Sequence, residues 1–189
     1  APGSVCVPSR YGLLTGRYAS RRRRYQPSRE AVIQKGTITI AEALRDAGYR
    51  TAMVGKWHLG FDGASKLDYA DMRGGPTDRG FGQFFGIPAS LDIPPYYYVQ
   101  NGRAVAAPTN KIVASDTEGW SPIQGAFWRA GGVAPGFVHS EVLPRFRDEA
   151  LSIINGHDGD QPLFLYLALP APHTPWLPAE RYRNRSAVG

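Results

Sequence analysis

The sequence predicts an α/β fold, a central and mostly parallel sheet flanked by helices, and three stretches carry the prediction. Residues 39–48 have helical spacing, end at Gly48 and run straight into a strand-like stretch, 49–58. Residues 163–169, Leu-Phe-Leu-Tyr-Leu-Ala-Leu, form a near-continuous apolar run, as expected of a central parallel strand buried on both faces. A helix-patterned segment, 137–155, precedes that run, so helix-then-strand order occurs twice, which is the pattern of an α/β sandwich.

Composition bounds the rest. With 189 residues, 42% hydrophobic and 20% charged, the chain can bury a real core and is not disordered. No apolar run is long enough for a membrane-spanning helix, and the opening Ala1-Pro2-Gly3 does not read as a signal peptide. The single cysteine excludes an internal disulfide framework. Four of the charges behind the net +6 sit in the run Arg21 to Arg24. No nucleic-acid-binding motif accompanies that run, so it reads as a solvated loop, although a basic surface steers polyanionic substrates.

In chain order, a short helix is expected over 9–17, stopped by Gly16, followed by a basic irregular stretch, 18–36, broken by Pro27. Thr39 is placed to N-cap the next helix with Glu42 closing a capping box, and Ile40, Leu44 and Ala47 are its expected apolar stripe. On the following strand Lys56 and His58, two apart, project from one face. Residues 60–86 read as loops, with aromatics of 79–86 packing as a turn. Asn101-Gly102 marks a hairpin between 96–100 and 103–106. Residues 108–135 show no period and read as a loop excursion. The helix in 137–155 begins near Ser140, with Val138, Val142, Phe146, Ala150 and Ile153 on its apolar side and Pro144 within its first turn or so. A proline-braced loop, 170–178, leaves the last strand.

The densest chemistry lies in the first turn. Pro8 suits the start of a helix. A helix starting there places Cys6 at its mouth, where orphan N–H groups and the helix dipole favour an anion. Arg10 lies within the same turn. Across the chain, Lys56 and His58 at a strand end and His173 after the apolar strand lie where open α/β sheets place ligand sites, while Ser90, in a Gly-Ile-Pro-Ala-Ser turn, can cap that turn. An anionic ester repels nucleophiles. Arg10, Lys56 and a helix N-terminus can neutralise it, His58 titrates in the range of a neutral-pH base, and His173 can protonate a leaving oxygen. Asp92 contacts either substrate or its own loop, and His139 and His157 read as structural or exposed.

The segment Cys6-Val7-Pro8-Ser9-Arg10-Tyr11-Gly12-Leu13-Leu14-Thr15-Gly16-Arg17 resembles the signature Cys-x-Pro-Ser-Arg-x-x-x-Leu-Thr-Gly-Arg of the formylglycine-dependent (type I) sulfatase family, with every specified position matched. Gly55-Lys56-Trp57-His58-Leu59-Gly60, Pro172-His173-Thr174-Pro175 and Gly86-Ile87-Pro88-Ala89-Ser90 resemble further segments of that family, in its arylsulfatase-like members. The resemblance implies an alkaline phosphatase-like sandwich and a sulfuric ester hydrolase acting on aryl or carbohydrate sulfates. It implies that a formylglycine-generating enzyme converts Cys6 to formylglycine, whose hydrate attacks sulfur. By the same resemblance Cys6, Arg10, Lys56, His58 and His173 are catalytic, and Ser90, Lys56 and His173 bind substrate.

The family also implies a divalent cation, Ca2+, touched by Cys6 as formylglycine. Its other ligands come from an Asp-Asp pair before the cysteine motif and an Asp-Asn pair after the Pro-His segment, which are not found in residues 1–189. The expectation is therefore a partial catalytic domain, nearly inactive alone, that lacks the first strand and C-terminal part and leaves some core exposed. Periplasmic or secreted location follows from the resemblance alone. The alternatives are a phosphonate monoester or phosphodiester hydrolase of the same superfamily, or a non-catalytic paralogue that binds anionic glycans.

Overall fold

A computed structural model describes residues 3–21, 30–119, 121, 124–183 and 185. Most of the arginine run and Pro27 lie outside these residues.

Helix α1 spans Cys6–Thr15. Val5 enters it with an extended backbone, Pro8 falls in its first turn where no N–H is needed, and Gly16 ends it in the left-handed region at φ 66°. It thus begins three residues earlier than expected, with Cys6 as its first residue. Ser9 Oγ donates to the Gly3 carbonyl at 2.6 Å and ties the entering chain to the helix. Tyr11 and Leu14, three apart, are its buried face.

Helix α2, Ile40–Asp46, has the expected capping box: Thr39 accepts from the Glu42 N–H, and the Thr39 N–H donates to Glu42 Oε2 at 2.9 Å. The expected apolar stripe is corrected. Ile40 and Ala47 are exposed, Leu44 is half-buried, and Ala41 is the buried residue. The helix packs through its first turn, which lies so close to Gly80 that a Cβ there would meet the Glu42 nitrogen at 2.2 Å. Backbone approach, not a stripe of large side chains, seats it.

Strand β1, Arg50–Lys56, leaves α2 directly and is buried from Thr51 onward. It lies between two parallel neighbours, β2, Gln83–Ile87, and a later strand over Leu163–Ala168. Strands β3, Val99–Gln100, and β4, Arg103–Ala104, continue the sheet antiparallel beyond β2, joined by the expected turn at Asn101 and Gly102. Numbered in chain order, Asn110–Ile112 and Gly131–Val133 are β5 and β6, and Leu163–Ala168 is β7. The order across the five-stranded sheet is β4-β3-β2-β1-β7. Helix α3, Val142–Asn155, follows a 3-10 turn at His139–Glu141. Val142, Phe146, Ala150 and Ile153 are buried as expected, and Val138 is exposed.

Three further corrections concern strands. Residues 83–87, expected to be a turn, are β2: Phe85 packs edge-on against Phe146 of α3, and Phe84 points to the opposite layer, so the two-faced burial of an inner strand looks like an aromatic cluster in sequence. The run 163–169, expected at the sheet centre, pairs only with β1 among the described residues, and Leu167 is exposed. Residues 108–135 contain the β5–β6 ribbon, whose three-residue strands are too short to show a period. None of this alters the architecture: helices flank a mixed sheet whose core strands are parallel.

At the carboxyl end of β1 the three core strands are pinned together by missing side chains. Gly55, at φ 123°, faces the Ala168 carbonyl on β7, where a Cβ would come to 2.2 Å. A Cβ on Gly86 of β2 would lie 1.9 Å from the Gly55 carbonyl oxygen. The next residue of β1 is Lys56.

Candidate active site

The candidate residues gather at the carboxyl ends of the parallel strands, where the chain leaves the sheet and side chains converge. Lys56 ends β1, His58 follows it, Ser90 and Asp92 follow β2, and His173 follows β7. The N-terminus of α1 brings Cys6 and Arg10 to the same end.

Cys6 Sγ lies 3.2 Å from His58 Nδ1. His58 is not in the strand with Lys56. The strand stops at Lys56, and His58 takes a left-handed backbone at φ 57°, so the expected two-residue alternation is replaced by a turn that aims the imidazole at Cys6. The Trp57 and His58 N–H groups donate to the Ile87 and Pro88 carbonyls at 3.0 Å, which hold this turn against the end of β2. Arg10 Nη1 donates to the Lys56 carbonyl and locks α1 onto β1. Lys56 is 2% exposed, and its ammonium donates to Ser90 Oγ. The buried Ser90 is therefore held by a cation and is not simply capping its turn.

Burial sets the electrostatics. It pulls the Lys56 ammonium down to about 8; the Arg10 charge adds to the drop, while Cys6 and Asp92 oppose it. Burial, then the charges of Lys56, Arg10 and His173, push His58 down to about 3. The imidazole is consequently neutral at neutral pH, where the sequence suggested a group titrating near it. An anion placed between these cations offsets their push and raises its basicity. Burial also lowers the Arg10 guanidinium from its ordinary value.

His173 stands at the rim, with Nδ1 2.9 Å from the Thr174 carbonyl and 3.8 Å from Asp92 Oδ1. Asp92 is buried, and its Oδ2 accepts from Arg129 Nη1 at 2.6 Å. Arg129 comes from the aperiodic stretch and has no signal in the sequence. Beside His58 opens a cavity of about 260 Å³ with Val7, Phe61, Leu67, Pro95 and Tyr97 in its wall. His139 is structural: it is buried, and its ring stacks on Trp128 at 4.4 Å. His157 is half-buried and lies away from the site, after α3.

The arrangement joins a nucleophile position, two fixed cations, a hydroxyl, a neutral base and a rim imidazole. Such a set of groups can hold a tetrahedral anion and assist attack on it. The comparisons with known proteins name the class. The Sulfatase family model matches residues 1–189, and the chain belongs to the sulfatase family. It is 29% identical over 220 residues to an N-acetylgalactosamine-6-O-sulfatase of Bacteroides thetaiotaomicron, covering 100% of this chain and 43% of that protein. It is 32% identical over 195 residues to arylsulfatase A of Homo sapiens, covering 100% of this chain and 36% of that protein. A solved structure from work on the metabolism of multiple glycosaminoglycans by Bacteroides thetaiotaomicron superposes with a TM-score of 0.79 at 28% identity, over 98% of this chain and 45% of that one. The chain thus spans less than half the length of these relatives.

Among the described residues, no group of three or more His, Cys, Asp or Glu side chains could hold a metal ion. These residues do not form a calcium cage. No helix among them is long and apolar enough to cross a membrane.

Proposed function

We propose that this chain is part of the catalytic domain of a sulfuric ester hydrolase that acts on sulfate monoesters of carbohydrates or phenols, with Cys6 matured to formylglycine by a dedicated generating enzyme. The observation that carries the reading is the approach of His58 to Cys6 at 3.2 Å beside the buried Lys56–Ser90 pair. Formylglycine, when present, supplies a hydrated aldehyde with one hydroxyl to attack sulfur and a second to release it.

The chain's own residues do the rest. Arg10 and Lys56 offset the charge of the sulfate, and their burial strengthens that attraction relative to water. Ser90 Oγ, already accepting from Lys56, turns its hydrogen toward a sulfate oxygen. His58 is neutral and adjacent to residue 6, so it can take a proton from the hydroxyl that remains after sulfur transfer. His173, half-exposed at the rim, delivers a proton to the departing alcohol oxygen. The divalent cation of the family belongs to the same reading, with residue 6 as this chain's contribution to its shell. So does export to the periplasm or cell exterior, which rests on the family alone.

The test is expression of the complete reading frame with a formylglycine-generating enzyme. Mass spectrometry of the peptide containing residue 6 reads the aldehyde, and sulfate release is assayed on sugar and aryl sulfates beside matched phosphodiesters. Aldehyde at residue 6 with sulfate release supports the proposal. A persistent thiol without turnover refutes it, and faster phosphodiester cleavage replaces it with the sister activity.

A further inference from the structure

We propose that Asp92 and Arg129 form a hydroxyl-reading subsite that grips a ring hydroxyl of a carbohydrate sulfate next to the sulfate position. The proposal rests on the hydrolase reading for its substrate, and it assigns to the alcohol part of that substrate a pair of residues outside the sulfate machinery.

Asp92 carries the argument. Its side chain is 8% exposed. Oδ2 is taken by Arg129 Nη1 at 2.6 Å, and its carbonyl accepts from the same nitrogen at 3.1 Å. Oδ1 is buried and has no hydrogen-bond partner among the described residues. His173 does not serve it: at 3.8 Å the contact is too long for a hydrogen bond, and the same Nδ1 already faces the Thr174 carbonyl at 2.9 Å. Lys56 does not serve it either: its ammonium donates to Ser90, and no bond from it reaches Oδ1. A buried carboxylate oxygen without a donor is costly, and such groups persist where a ligand completes them.

Arg129 supplies the other half. It is 53% exposed, yet its guanidinium is held by Asp92 and lies over the Phe127 ring at 5.1 Å, while its carbonyl accepts from Tyr96 Oη at 2.8 Å. Its Nη1 is fixed on Asp92, so a pre-oriented guanidinium stands beside an acceptor with no partner among the described residues. A group that satisfies both must donate and accept at once, which a hydroxyl does and a sulfate does not. The negative charge of Asp92 also disfavours a sulfate oxygen there. Ser90, which faces the sulfate position, and Asp92 share one turn closed by the Ile93 N–H to Ser90 carbonyl bond at 3.0 Å. The hydroxyl read by Asp92 is therefore close to the sulfate-bearing carbon.

The test uses the complete protein and a sugar monosulfate, with analogues lacking each free hydroxyl in turn. In the unaltered protein, removing one particular hydroxyl should lower kcat/KM by about ten- to a hundredfold, the loss expected when a hydrogen bond to a charged group goes unmade. In Asp92→Asn and Arg129→Gln that penalty should shrink toward unity while penalties at other hydroxyls persist. Calorimetric binding of the same ligands to the Cys6→Ala protein reads the subsite without turnover. A protein that releases no sulfate thus defeats the hydrolase reading, while the binding series still decides this one. Equal treatment of every deoxy analogue overturns the subsite. So does a penalty unchanged in both variants, or a uniform loss on sugar and aryl sulfates alike in Asp92→Asn with the penalty intact, which makes Asp92 a positioning residue for His173.

Discussion

The sulfur of Cys6 lies 3.2 Å from Nδ1 of His58, although fifty-two residues of chain separate them. Two local structures meet to make this contact: the first residue of α1 and a left-handed turn just past β1. Replacing His58 with alanine should lower turnover by about 10²- to 10⁴-fold, the usual worth of a positioned proton acceptor. Cys6→Ser should abolish turnover unless the maturation system oxidises serine. Full turnover by the serine protein, with no aldehyde detectable at residue 6, would sink the mechanism.

Lys56 and Arg10 act on charge. Lys56→Met keeps the buried stem of the side chain and removes the ammonium, so stability should change little while kcat/KM falls by about 10²- to 10³-fold. Inorganic sulfate should inhibit this variant less than the parent. Equal inhibition of both would remove Lys56 from the anion site.

Gly55 and Gly86 set the spacing of the strands that deliver Lys56 and Ser90. A methyl group at Gly55 meets the Ala168 carbonyl, and one at Gly86 meets the Gly55 carbonyl, both well inside contact distance. Each alanine substitution should cost about 3–5 kcal/mol, because backbone and not a flexible side chain stands in the way. Urea unfolding of the single variants measures this, and a loss below 1 kcal/mol would mean the strands move apart freely.

Thr39 is both N-cap and buried donor. Its side chain accepts from the Glu42 N–H and donates to the Arg79 carbonyl at 2.7 Å. Thr39→Ala should destabilise by about 1–2 kcal/mol, and Thr39→Ser by less than half of that. Thermal unfolding of the pair separates the hydroxyl from the methyl group.

His139 gives the fold a pH dependence. It is packed among Trp128, Tyr96 and Phe137, its Nε2 has no partner among the described residues, and burial pulls it down to about 4, against a smaller opposing effect from a hydrogen bond with the Leu91 backbone. Between its ordinary value near 6.5 and 4 the unfolded chain binds the extra proton and the folded one does not. The contribution is therefore complete above pH 6.5 and is lost as pH falls toward 4, by on the order of 3 kcal/mol. His139→Phe should flatten that part of the stability–pH curve, and an unchanged slope would assign it to other groups.

What the sequence made legible is local or contiguous. The capping box at Thr39 and Glu42, the Gly16 stop of α1, the Asn101-Gly102 turn and the apolar side of α3 each depend on residues within a few positions of one another. The family signature beginning at Cys6 is likewise one unbroken segment. Strand β2 was hidden because a strand covered on both faces loses its alternation. The stripe assigned to α2 failed because seven residues seated by backbone contact at Gly80 need no stripe.

The sequence by itself thus determined the α/β class and the family, and supplied the candidate residues for the proposed chemistry. The tertiary structure alone decided that His58 leaves the strand to face Cys6, that burial among cations keeps it neutral, and that Arg129 closes on Asp92 while one carboxylate oxygen has no partner among the described residues. The reason is physical. Short-range propensities act within a turn or two of chain, whereas distances, desolvation and pairing between residues 6, 58, 92 and 129 exist only after the sheet brings distant segments to one end.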